Sequence, residues 1–187
     1  MRPLRFLGIA GSLRRASLNR ALLRAVGETL PADASLELYE GLADLPQFNS
    51  DIVGEPAPVA ALKAAIASAD ALIFAVPEYN YSVPGVLKNA IDWATRPPPT
   101  SPLRGKPVGI IGASIGISGS MRAQYHLRQI MVYTDSPVLM QPEVIIPLAR
   151  ERFDAAGQLV DDSTRVLLAA FGVAMVAWTR RFAPAQS

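Results

Sequence analysis

Three stretches of this chain are apolar almost without interruption, and each ends abruptly in a polar loop. Leu4–Ala10 stops at Gly11, Asp70–Val76 stops at Pro77, and Pro107–Gly112 runs into a glycine-rich segment. A strand with one wet face alternates apolar and polar residues. A strand covered on both faces, as in a parallel sheet, has no need to. Such runs require helices above and below them, which sharply limits the architectures open to the chain.

The segments between them supply those helices. A helix pattern begins near Leu18, with Leu18, Leu22, Leu23 and Val26 on one face. Pro31 and Asp33 mark a turn, and Leu36, Leu38 and Tyr39 suggest a short second strand. Residues 40–58 read as a long loop with stops at Gly41, Pro46, Asn49, Gly54, Pro56 and Pro58. Ala60–Ala69 carries Leu62 and Ile66 at helical spacing. Beyond the loop 78–83, Pro84 sits where a first helical turn tolerates proline. That helix runs to about Trp93, with Lys88 and Asp92 spaced for an i,i+4 pair. Arg96–Pro102 is a proline-rich connector, and a further helix spans about Arg122–Val132. Val138–Met140 and Val144–Ile146 suggest a last strand interrupted at Pro142. Asp161 or Asp162 caps a final helix reaching about Arg180.

Strands and helices thus alternate, which predicts an α/β fold: a parallel sheet with helices on both faces and right-handed crossovers. Five such strands suit the flavodoxin-like order 2-1-3-4-5. Its ligand site lies at the carboxyl ends of the strands, near the switch between strands 1 and 3. The 187 residues favour one domain spanning 1–187, and half of them are hydrophobic.

Composition removes several chemistries. With no cysteine there are no disulfides, thiol nucleophiles, cysteine–zinc sites or iron–sulfur clusters. One histidine, His126, cannot form a histidine metal cluster, and no G-x-S-x-G elbow accompanies it. His126 reads as a structural or interfacial residue. The net charge of +2 comes from fifteen arginines and three lysines against sixteen acids. It is too small and scattered to indicate nucleic acid, but it suits an anionic small ligand. The longest apolar run, Val166–Trp178, has 13 residues, short of the roughly 20 a membrane span needs. No signal-peptide pattern opens the chain, so the expectation is a cytoplasmic protein with no membrane partner.

The polar loops follow strands 1, 3 and 4, whose carboxyl ends are neighbours in a 2-1-3-4-5 sheet. The first loop combines a strand end, a helix N-terminus with free N–H groups, the side-chain donors Ser12, Ser17 and Asn19, and the charge of Arg14 or Arg15. That is a phosphate site in type. The second, Pro77-Glu78-Tyr79-Asn80-Tyr81-Ser82, can line a flat heteroaromatic ring and hydrogen-bond its polar edge. The third, Ser114–Gly119, gives close backbone approach from the other side. One phosphate and one ring match FMN better than a dinucleotide. Neither G-x-x-x-x-G-K-[ST] nor G-x-G-x-x-G occurs.

These stretches also resemble a known family. Gly11-Ser-Leu-Arg-Arg-Ala-Ser-Leu-Asn19 is similar to the G-S-x-R-x-x-S-x-N phosphate loop of the NADPH-dependent FMN reductases. Pro77-Glu-Tyr-Asn-Tyr-Ser-Val-Pro-Gly-Val-Leu-Lys-Asn-Ala-Ile-Asp-Trp93 resembles the P-E-Y-N-x-S-x-P-G-x-L-K-N-x-I-D-W block of the same family. Gln124–Gln129 resembles its chromate and quinone reductase branch. The resemblance implies bound FMN, NADPH or NADH as donor, and a dimer or tetramer. It implies that Ser12, Arg14, Ser17 and Asn19 hold the phosphate, that Pro77, Glu78, Tyr79, Asn80 and Tyr81 contact the ring, and that Ser114 reaches its pyrimidine side. Quinones, flavins, azo compounds and chromate are the implied small-molecule acceptors, served by a ping-pong sequence. No side chain needs to act as acid or base, so no catalytic residue and no metal ligand are named. One departure stands out: the third loop often ends Gly-Gly in the family, but here reads Ser118-Gly119-Ser120. A flavodoxin-type electron carrier and a redox-sensing interaction protein are the competing readings.

Overall fold

The computed structural model describes residues 2–182. Five parallel strands form one sheet in the order β2-β1-β3-β4-β5, as the alternation predicts. They are β1 (Leu4–Ala10), β2 (Ala34–Leu38), β3 (Ala71–Ala75), β4 (Val108–Ala113) and β5 (Val144–Ile146). Between and after them lie α1 (Leu18–Thr29), α2 (Ala57–Ser68), α3 (Gly85–Ala94), α4 (Met121–Thr134) and α5 (Asp162–Arg181). Every residue of β3 and β4 is buried, which is why neither shows alternation. Their side chains still point to alternate faces. Phe6, Ile73 and Ile111 pack with Leu22, Leu23 and Val26 of α1 and Phe171 and Met175 of α5. Leu7, Leu72, Phe74 and Ile110 pack with α2, α3 and α4 through Leu62, Leu87 and Leu127.

The interrupted last strand is present as expected. Val138 bridges Val108, and after the break at Pro142 Val144–Ile146 pairs with Ile111–Ala113. One boundary needs correcting: α2 begins at Ala57, three residues before the expected Ala60, and Pro58 lies inside its first turn. A proline there loses no hydrogen bond, because the first-turn N–H groups have no intrahelical partner. The loop 40–58 also contains a single turn of 3₁₀ helix, Gly41–Asp44. At the far end of α2 the basic residues have a structural use. Lys106 Nζ donates to the carbonyls of Ala67 and Ala69, and Arg5 Nη2 donates to that of Ser68. These are the orphan carbonyls of a helix C-terminus, where a cation is favoured. A cleft of about 460 Å³ lies among these capping groups at the amino ends of the strands. It is therefore at the wrong end of the sheet for a switch-point ligand.

Candidate functional site

The carboxyl ends of β1, β3 and β4 bring the three expected loops together. The first, residues 11–17, enters α1 through Ser17, whose hydroxyl oxygen accepts from the Arg20 N–H at 3.2 Å. Ser17 is thus a helix cap, and its hydroxyl hydrogen remains to donate outward. Ser12 is buried beneath the loop, and its oxygen accepts from the Arg14 N–H at 3.4 Å. The Arg14 and Arg15 side chains are exposed. The N–H groups of the first turn of α1, at Leu18 and Asn19, point out of the helix end and are not used within it.

Asn19 makes a structural contact. It is buried, its Nδ2 donates to the Ala113 carbonyl at 2.9 Å, and its Oδ1 accepts from the Ala113 N–H at 3.0 Å. The β3–β4 ladder closes with the Val76 N–H on the Ile111 carbonyl, and the next residue of β3's chain is Pro77, which has no N–H. Two residues beyond Ile111, the Asn19 amide serves Ala113 as a neighbouring peptide would. The side chain ties α1 to the root of the third loop, with its Oδ1 and one of its two Nδ2 hydrogens committed there.

The second loop is a tight turn closed by paired bonds between Tyr79 and Ser82, at 3.1 and 3.0 Å. Its central residues, Asn80 and Tyr81, both have positive φ, 50° and 66°. Asparagine tolerates this conformation, but a tyrosine there costs about 1–2 kcal/mol. Surrounding contacts hold it. The Tyr79 hydroxyl donates to Ser12 Oγ at 3.2 Å, fastening the second loop to the first. The Glu78 carboxylate, 7% exposed, accepts from the Arg122 N–H at 3.1 Å and from Arg122 Nε at 2.6 Å. The Arg122 guanidinium also lies 3.7 Å from the centroid of the Tyr81 ring. The hydrogen bond to Glu78, with its charge, raises the Arg122 pKa above the ordinary arginine value. Ser82 Oγ meets His126 Nδ1 at 3.0 Å.

The third loop follows β4. Ser114 N–H donates to the Ile146 carbonyl and its hydroxyl to the Gly116 carbonyl at 3.1 Å. Gly119 has φ +57°, and a Cβ there would lie 2.5 Å from Ile145 Cγ2, so this glycine is required by both conformation and space. Ser120 is also left-handed, at φ 71°, is fully buried, and accepts from Gln124 Nε2 at 3.2 Å. The departure from Gly-Gly thus places a buried, hydrogen-bonded hydroxyl at the start of α4.

These residues suit a phosphorylated flavin. Hydroxyls, unused helix N–H groups and an exposed arginine gather at one spot. The nearest carboxylates are already neutralised, Glu78 by Arg122 and Glu40 by Arg20. Tyr79 and Tyr81 of the second loop and Ile115 and Ile117 of the third are exposed. Among the described residues, no group of three or more histidine, aspartate or glutamate side chains could hold a metal. No helix there is long and apolar enough to cross a membrane.

Sequence reading anticipated the three loops but missed Arg122 and the Ser82–His126 contact. Each links residues 44 apart in the chain, and no local pattern marks such a link.

Comparison with known proteins gives the family. A family model described as NADPH-dependent FMN reductase matches residues 4–151. An NAD(P)H-dependent FMN reductase of Pseudomonas aeruginosa is 48% identical over 180 residues, covering 95% of this chain and 96% of that protein. A 2-hydroxy-1,4-benzoquinone reductase of a Burkholderia species is 42% identical, covering 92% of this chain and 94% of that one. Among solved structures, the flavoenzyme NAD(P)H:(acceptor) oxidoreductase FerB of Paracoccus denitrificans superposes with a TM-score of 0.88 at 34% identity, covering 96% of this chain and 98% of that one.

Proposed function

The chain belongs to the NADPH-dependent FMN reductase family and is an FMN- and NAD(P)H-dependent oxidoreductase, and we propose that its acceptors are quinones, with free flavins and chromate as further ones. The observation that carries this reading is the fastening of three loops around one spot: Tyr79 on Ser12, Glu78 on Arg122, and Asn19 on Ala113. In this reading Ser12, Arg14, Ser17 and the first N–H groups of α1 hold the phosphate. Pro77, Glu78, Tyr79, Asn80 and Tyr81 flank the ring, Glu78 through its backbone because its carboxylate is committed to Arg122. Ser114 serves the opposite edge. Asn19 contributes by shaping the cradle. The quinone assignment draws support from the benzoquinone reductase relative at 42% identity.

Bound FMN supplies the hydride and electron chemistry. In this reading the chain's residues bind it, orient it and leave one mouth for donor and acceptor, bordered by the exposed Tyr79, Tyr81 and Ile117. A single mouth serves donor and acceptor in turn, which is a ping-pong sequence. We place the enzyme in the cytoplasm, where reduced nicotinamide dinucleotides are held. We also propose that it self-associates as a dimer or tetramer. The exposed Tyr125, Val132 and Tyr133 of α4, with Met140 beside them, form an apolar surface suited to that.

Steady-state turnover with NADPH and NADH against quinones, chromate and free FMN tests the proposal. Parallel double-reciprocal lines with a quinone are expected. Intersecting lines refute the single-mouth sequence, and turnover confined to free FMN refutes the quinone assignment.

A further inference from the structure

The second loop does not hold its own shape. Two successive non-glycine residues, Asn80 and Tyr81, sit in the left-handed region, and the loop's internal support is one pair of backbone bonds between Tyr79 and Ser82. Beyond the bond of the Tyr79 hydroxyl to Ser12, the remaining support comes from two residues of α4 one turn apart. Arg122 takes the Glu78 carboxylate before the turn and covers the Tyr81 ring within it. His126 takes the Ser82 hydroxyl that ends it. The loop is therefore gripped at its start, middle and end by one face of one helix. That helix is itself rooted through Ser120 and Gln124, with Gln124 Nε2 donating to Ser120 Oγ and to the Val144 carbonyl at 3.0 Å.

We propose that Arg122 and His126 are positioning residues that act as a clamp. By fixing Glu78, Tyr81 and Ser82 they hold the Tyr79–Ser82 turn in the shape that receives the flavin ring, and so set FMN affinity and the polarity the ring meets. The inference rests on the functional reading above, in which Pro77–Tyr81 flank that ring. It gives the chain's one histidine a role with no proton transfer. Either ring tautomer can pair with Ser82, because a hydroxyl both donates and accepts.

The test compares FMN dissociation constants, read from quenching of flavin fluorescence, and the visible absorption of bound FMN across six variants. His126→Ala and Ser82→Ala each remove the same exposed hydrogen bond, so each should weaken FMN binding about threefold. Their combination should weaken it no further than either alone. His126→Asn keeps a polar group of similar reach and should restore binding to within about twofold of wild type. Arg122→Ala should weaken binding about tenfold or more, because it strands the nearly buried Glu78 carboxylate. Should that variant fold poorly, Arg122→Lys keeps the charge but loses the fork and the stacking, and should fall between. In each weakened variant the absorption envelope should move toward that of free FMN. Unchanged affinity and absorption in His126→Ala and Arg122→Lys, or additive losses in the His126→Ala/Ser82→Ala pair, overturn the clamp. A wild-type chain that binds no FMN overturns the functional reading, and the clamp with it.

Discussion

Asn19 separates two accounts of the first loop. If its amide serves Ala113, its loss damages the empty protein. If it serves a phosphate, its loss damages only binding. In Asn19→Ala two buried hydrogen bonds disappear, the donation to the Ala113 carbonyl at 2.9 Å and the acceptance from its N–H at 3.0 Å. A net value of about 0.5–1.5 kcal/mol each gives roughly 1–3 kcal/mol, toward the upper end because both Ala113 groups are left without partners in a buried position. In a chain of this size about 2 kcal/mol lowers Tm by roughly 4–8 °C. Asn19→Asp should do similar harm. A carboxylate keeps the bond to the Ala113 N–H but turns an acceptor against its carbonyl. The assay is thermal unfolding of both variants freed of FMN, paired with FMN titration. An unchanged Tm with FMN binding weakened tenfold or more would refute this reasoning and return Asn19 to the phosphate.

Three further outcomes follow from the same contacts. Gly112→Ala places a Cβ 1.9 Å from Ser120 Oγ and 2.7 Å from the Val76 carbonyl, so it should cost about 1–3 kcal/mol and weaken FMN binding by displacing the third loop, checked by unfolding and titration. Tyr79→Phe removes the bond to Ser12 and should weaken FMN about two- to tenfold while shifting Tm by no more than a few degrees, read by the same two measurements. The Asp161 carboxylate accepts from the Ser163 hydroxyl, the Thr164 hydroxyl and N–H, and Arg152, which holds its pKa well below the ordinary carboxylate range. A folded value below the unfolded one contributes stability that is complete above about pH 4 and is lost as pH falls toward the folded value. The Tm gap between wild type and Asp161→Asn should therefore be present at pH 7 and shrink below about pH 4. A gap constant over that range contradicts the assignment.

The strands were legible because burial on both faces leaves an uninterrupted apolar signature, as in Ala71–Ala75. The start of α5 was legible to within one residue, because Asp161 and Asp162 were the two cap candidates and Asp161 takes the Thr164 N–H. Pro58 misled because proline breaks a helix interior yet suits a first turn, and local sequence does not separate the two positions. The site was legible as three loops, since glycine, hydroxyl and aromatic residues cluster after each buried strand. How those loops are fastened was not. Asn19 meets Ala113 across 94 residues, and Glu78 meets Arg122 across 44. A buried asparagine beside a phosphate-type loop looks the same in sequence whether it faces a ligand or a backbone. The contact with the backbone follows from the sheet, which stops β3 at a proline while β4 runs two residues further.

The most direct measurement of the central claim is a titration of the purified protein with FMN, followed by anaerobic addition of NADPH or NADH while visible absorption is recorded. The account predicts one FMN bound per chain at micromolar concentration or tighter, and rapid bleaching of the bound flavin by the dinucleotide with no other protein present. A chain that takes up no FMN, or one whose bound flavin stays oxidised under both NADPH and NADH, contradicts it.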